Sequence, residues 1–278
     1  MILPTAVKEP TVQEPRRLFI FSHPKIGKTE LAMALPNSLL IDLEDSSGFY
    51  RGTAINVKDY CLKNNKDILE VLSEISDSIA EENTKRKGYL YDFIILDTTT
   101  VLENVARELA THLYKGSVMG KNFKGDDVVT ELPNGSGYEW LRQAFIKIYA
   151  KFQSLAGKCL ILNGHVKFAS INKDGKDLQA KDVQLTGKLK GIVCSDADAI
   201  AFMYRNKTEN ENILSFRTSE LDLATGSRLP YLSGNEFIIS KKFESDGVTP
   251  YKFDPENPKK IGIIKTYWGD SVFPSLLK

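Results

Sequence analysis

Four short apolar runs punctuate the first two-thirds of the chain, and between them apolar side chains recur every three or four positions. Residues 18–21 are continuously apolar and run into Ser-His-Pro, the pattern of a strand buried on both faces and closed by a turn. Residues 38–43, 92–97 and 158–163 repeat that pattern. Helical periodicity predicts helices over 28–35, ended by Pro36, over 66–83, over 98–114 with Thr98 or Thr99 as N-cap, and over 138–156. Further strands are expected at 197–204 and 213–217, with a weaker one at 237–239. Alternating strands and helices imply an α/β fold, a mostly parallel twisted sheet with helices on both faces. Ligands of such sheets bind beyond the carboxyl ends of the strands.

Between these elements lie two polar, irregular segments, 116–137 and 167–191, longer than a domain keeps without a use. Pro4, Pro10 and Pro15 make residues 1–15 an extended arm. The core is expected over 16–218. Prolines at 230, 250, 255, 258 and 274 break up residues 219–278, which read as a small, irregular or β-rich extension.

Composition changes this picture little. The 278 residues are 42% hydrophobic and 26% charged, the balance of a chain that folds rather than of a disordered one. With a net charge of +1, any nucleic-acid surface must come from local clusters of Lys and Arg. Cys61, Cys159 and Cys194 lack metal-ligand spacing and fit a reducing compartment. No apolar run reaches membrane-spanning length and no signal peptide is visible, so a cytoplasmic location with no membrane partner is expected.

The chemistry starts after the first strand. Ser22-His23-Pro24-Lys25-Ile26-Gly27-Lys28-Thr29 fits the phosphate-loop pattern G-x4-G-K-[ST], with Ser22 in place of the first glycine. In such a loop, backbone N–H groups surround the phosphates at a helix N-terminus. Lys28 adds a point charge at the β and γ oxygens, and the Thr29 hydroxyl reaches Mg²⁺. Gly27 lets the backbone approach closely, and Glu30 completes the nucleotide-binding stretch. A chance Gly-Lys-Thr in a turn would not sit between a buried strand and a helix, as this one does.

Residues 91–97 close an apolar strand on Asp97, a carboxylate placed to hold Mg²⁺ through water. Asp42, Glu44 and Asp45 follow the second strand. Glu44 is the expected base toward an attacking water, with the other two as competitors. His165, with Asn163 and Lys167 beside it, is the candidate for sensing or polarising a γ-phosphate.

The order phosphate loop, LLIDLEDSSGFY, YDFIILDTTT, CLILNGHVK resembles the RecA-type ATPase core from Leu18 to about Tyr204. The PKIGKT loop, the NGHVK segment and the GSRLPYL stretch are more closely similar to phage-borne RecA-like proteins associated with single-strand annealing and recombination. This resemblance implies ATP and Mg²⁺ as cofactors, Glu44 as catalytic base and Asp97 as metal ligand. The residues from Asn163 to His165 would couple nucleotide state to DNA. It also implies a homo-oligomer with ATP near subunit interfaces, and phage or host replication and recombination proteins as partners. The additional terminal domains of bacterial RecA have no counterpart, so filament formation by that route is not expected.

In that family two loops contact single-stranded DNA, and they map onto 116–137 and 167–191. The second carries Lys167, Lys173, Lys176, Lys181, Lys188 and Lys190 against Asp174, Asp177 and Asp182, with Phe123 and Phe168 as stacking faces. Arg228, Lys241 and Lys242 are candidates for a basic residue supplied by a neighbouring subunit. The competing reading is a nucleotide-dependent switch or assembly factor with a protein partner. Kinase chemistry is disfavoured because no acceptor-site or lid signature is present.

Overall fold

A computed structural model describes residues 10–123, 128–173, 176–206, 211–219, 221, 224–240 and 263–277, without side chains at 173, 176, 240 and 263–267. The elements run β1 (Arg17–Ser22), α1 (Lys28–Met33), β2 (Ser38–Asp42), β3 (Ala54–Asn56), α2 (Val57–Asn64), α3 (Ile68–Arg86), β4 (Phe93–Asp97), α4 (Thr99–Lys115) and α5 (Gly137–Leu155). They continue through β5 (Cys159–Lys173), β6 (Lys176–Val183), α6 (Gly187–Asp196), β7 (Ala199–Asn206), β8 (Glu211–Ser215), β9 (Gly226–Ser227), β10 (Glu236–Ser240), β11 (Ile263–Tyr267) and α7 (Trp268–Val272).

The strands order as β11-β10-β8-β7-β1-β5-β4-β2-β3, with β6 paired to β5 and β9 to β7. Pairing is parallel from β7 through β1, β5, β4 and β2 to β3, and antiparallel where β8 joins β7 and β10. The expected α/β architecture is therefore the one observed, with the phosphate-loop strand β1 at its centre. Alternation along β1 divides the core. Phe19 and Phe21 join the apolar cluster under α3, α4, α5 and α6, whereas Leu18 and Ile20 join the cluster with α1 and α7. Complete burial of such side chains, each worth roughly 1.5–3 kcal/mol, makes the centre of the sheet the rigid base of the site.

Local signals set the helix ends. Asp67 and Glu70 form a capping box at the start of α3, and the Asn56 side chain caps α2. Thr98 is the N-cap of α4, yet its hydroxyl makes no capping bond.

Two sequence expectations need correcting. The strand expected at 158–163 runs on to Lys173 and pairs antiparallel with β6, so most of the segment 167–191 is a β-hairpin followed by α6 rather than an irregular loop. The antiparallel ladder, in register from Val166 opposite Val183 through Ala169 opposite Ala180, ties up backbone groups that a loop would leave to water. The helix expected over 28–35 ends at Met33, two residues sooner. Segment 116–137 keeps its irregular character where it is described, with short 3₁₀ turns at Val129–Glu131 and Pro133–Gly135.

Of the arm at 1–15, residues 10–15 form no regular element; Glu14 accepts from Ser275. Within residues 219–278, β9 pairs with β7, β10 with β8 and β11 with β10, all in the main sheet. Trp268 is wholly buried and its indole N–H donates to the Leu31 carbonyl of α1 at 3.0 Å.

Candidate nucleotide site

The site lies where the central strands end. Ser22 is level with His165 of β5 and Met203 of β7, and Asp97 is level with Asp42 of β2 and Asn163 of β5. The chain leaves β1 at Ser22 and enters α1 through Gly27, whose φ of +104° is the left-handed conformation that favours glycine. His23, Pro24 and Lys25 are exposed, Lys25 with φ of +63°, while Ile26 packs its side chain on the α1 cluster. Glu30 stands in the first turn of α1.

Lys28 is only 6% exposed. Its Nζ donates to Ser22 Oγ at 2.7 Å and to the His23 carbonyl at 3.3 Å, and Ser22 Oγ donates to the same carbonyl at 2.6 Å. Burial pulls the Lys28 ammonium below the ordinary lysine range, against the opposing pull of Asp97 and Glu44.

The carboxylates gather across from Lys28. Thr29 Oγ1 donates to Asp97 Oδ2 at 2.6 Å. Burial raises the Asp97 carboxyl above its usual value, with the Thr29 bond and the Lys28 charge acting the other way. Asn163 stands close enough to Asp97 to favour its charged form, but neither amide atom meets a partner in hydrogen-bond geometry, so it is adjacent and not bonded. Glu44 Oε1 accepts from Thr98 Oγ1 at 2.6 Å and lies 3.1 Å from His165 Nε2. The His165 hydrogen bond, helped by Thr98, holds the Glu44 carboxyl below the ordinary carboxylate range despite partial burial.

The structure thus brings together Ser22, His23, Lys28, Thr29, Glu44, Asp97 and His165. Of the competing acids, Asp42 is buried and spent on its own turn: its carboxylate accepts the backbone N–H of Glu44 at 3.0 Å and those of Ser46 and Ser47 at 2.7 Å. Asp45, at φ +67°, bonds Asn56. Two contributors are not evident from the sequence, namely Thr98, whose place there suggests only a cap, and Asp42 as the turn holder. The Asp-x-x-x-Ser-Ser spacing, which suits a side chain that closes its own turn, is the signal for the second.

Candidate DNA contacts are less available. Lys167 Nζ donates to the Leu185 carbonyl, Lys190 pairs with Asp182 at 2.9 Å, and Lys181 lies 4.8 Å over the Phe202 ring. Phe168 is 52% exposed and packs against the His23 ring at 5.6 Å. Phe123 packs edge-on to Tyr114. Arg228 is tied to Asp198, at the amino end of β7 and away from the phosphate loop. Asp174, Lys241 and Lys242 lie outside the described residues.

The residues fit a magnesium–nucleotide. A buried ammonium faces a loop in which Gly27 holds the left-handed backbone, and Thr29 and Asp97 already meet as a hydroxyl–carboxylate pair. Among the described residues there is no cluster of three His, Cys, Asp or Glu for an all-protein metal site. Mg²⁺ needs none, because it keeps several waters and takes phosphate oxygens alongside one or two protein ligands. Also among the described residues, no helix is long and apolar enough to cross a membrane.

Comparison with known proteins supplies the family. None of the curated proteins matches this sequence. A crystal structure of the RadB recombinase is similar at 11% identity and a TM-score of 0.38, over 80% of this chain and 86% of that one. An AAA domain family model matches residues 14–242, a span that contains the phosphate loop, both acidic strand ends and His165. The chain belongs to that AAA domain family, and its α/β core carries the loop and carboxylates of a P-loop NTPase.

Proposed function

We propose that the protein is a Mg²⁺-dependent ATPase that acts on single-stranded DNA in recombination, annealing or replication of the phage type. The observation that carries the ATPase reading is the convergence of Lys28, Thr29–Asp97 and Glu44–His165 at one sheet edge. Residues from Ser22 to Glu30 cradle the phosphates, and Lys28 leaves its Ser22 and His23 partners to meet the β and γ oxygens. Thr29 and Asp97 would hold Mg²⁺, which would supply charge neutralisation at the phosphate oxygens. Glu44, kept ionised by His165 and Thr98, accepts the proton of the attacking water. His165, bonded to Glu44 from within β5, carries the state of the site into the β5–β6 hairpin. DNA action rests on the sequence resemblance and on the hairpin's place beside the phosphate loop.

A second reading, a nucleotide-dependent switch with a protein partner, is favoured by one observation: three hairpin-region lysines, Lys167, Lys181 and Lys190, are engaged within the chain. Hydrolysis of ATP with Mg²⁺, with and without single-stranded DNA, separates the two. Lys28→Ala should lose about a hundredfold in rate, and Glu44→Gln about 10²–10⁴-fold with nucleotide still bound. A wild-type rate raised by DNA supports the first reading, and a DNA-indifferent rate supports the second. Undiminished hydrolysis by Glu44→Gln would remove Glu44 as the base.

A further inference from the structure

The reactive groups all fall on one side of β1. Asp97 ends β4, Glu44 follows β2, and His165 lies in β5, so the γ-phosphate end of a bound nucleotide points toward β5, β4 and β2. A phosphate chain that starts there and follows the loop must send its nucleoside toward the other neighbour of β1, the β7–β8 pair.

Two polar side chains stand there, one bonded to the loop and the other to the first. Asn212, in β8, donates from Nδ2 to the Ile26 carbonyl at 3.4 Å, and a Cβ placed on Gly27 would meet that same Nδ2 at 3.8 Å. Asn212 Oδ1 accepts from Arg205 Nε at 3.2 Å. Met203 is level with Ser22 in the ladder, and its Cε is 3.9 Å from that same Cβ position. Arg205 follows by two residues, on the same face of β7 and beyond the end of β1. Arg205 is exposed, so its planar guanidinium is open to a ligand, while the Nε bond to Asn212 fixes the plane.

We propose that Arg205 and Asn212 form the nucleoside subsite, in which the guanidinium stacks on the base of a nucleoside di- or triphosphate and Asn212 anchors it to the phosphate loop. Arg suits this position because its delocalised plane stacks on aromatic faces, which the ammonium of Lys cannot do. The inference rests on the phosphate-loop reading above, and deepens it by assigning the end of the ligand that the loop does not touch.

The test compares binding of ADP and of inorganic tripolyphosphate, each with Mg²⁺, by calorimetry. Wild type should bind ADP more tightly than a phosphate chain alone would account for. Arg205→Ala and Arg205→Lys should each weaken ADP by about tenfold and leave tripolyphosphate within about twofold; Asn212→Ala should do the same less strongly. The tripolyphosphate arm also reports that each variant still folds a working loop. Equal loss of both ligands would mean the pair only shapes the loop, and an Arg205→Lys variant that binds ADP like wild type would mean charge, not stacking; either overturns the assignment. Wild type that binds neither ligand would sink the phosphate-loop reading itself, and this inference with it.

Discussion

Glu44 owes its low proton affinity to neighbours rather than to exposure. The His165 bond comes first and Thr98 adds to it, while partial burial pulls upward. A carboxyl whose folded pKa is depressed adds stability above its unfolded pKa, about 4.3, and loses it as pH falls through the lower folded value. For hydrolysis the sign is the same: the ionised base persists below the usual carboxylate range, so the wild-type rate should be flat between about pH 5 and 7. His165→Ala removes the largest lowering influence and leaves the opposing burial. The acid limb of the pH–rate profile should then move to higher pH; a limb that stays in place would show that His165 does not set Glu44. That Glu44 stands just beyond the second strand was legible in the sequence, because a carboxylate after an apolar run is a local feature. That His165 and Thr98 tune it was not, since those bonds join residues 121 and 54 positions away.

At the scale of elements, the turn after β2 is a small device built on one buried side chain. Asp42 gathers three backbone N–H groups and so sets the path that brings Glu44 to Thr98 and His165. Asp42→Ala should cost about 3 kcal/mol in denaturant unfolding, since charge-assisted bonds are worth about 1.5–3 kcal/mol each and some of the freed donors find water. Asp42→Asn should recover part of that, keeping one acceptor oxygen. An unchanged midpoint in Asp42→Ala would show that the turn holds without it. Strands β1, β2 and β4 were legible because continuous apolar runs with sharp ends admit few other structures. The hairpin β5–β6 was missed because its outer half is polar on one side and Lys-rich, which reads as loop until the ladder is seen; its one local cue was the Asp174-Gly175 pair. Strand β3 and helix α2 were also missed, the first being three residues long and the second having only Val57 buried.

Across the whole molecule, α1 is held from both ends of the sequence: the loop leads into it, and Trp268 lies under it with a bond to the Leu31 carbonyl. Trp268→Phe keeps most of the apolar bulk but removes the indole bond, leaving the Leu31 carbonyl with the Ala34 N–H at 3.2 Å, and should lower stability by about 1 kcal/mol. It should also weaken ADP binding measurably, because α1 carries Lys28 and Thr29; full retention of ADP affinity would show that the cap steadies the fold without reaching the site. The Leu31–Trp268 bond spans 237 positions. A ribosome therefore delivers the phosphate loop long before the indole that steadies the helix behind it. Affinity for nucleotide should accordingly rise once more when α7 emerges, after the strands around the loop have already paired.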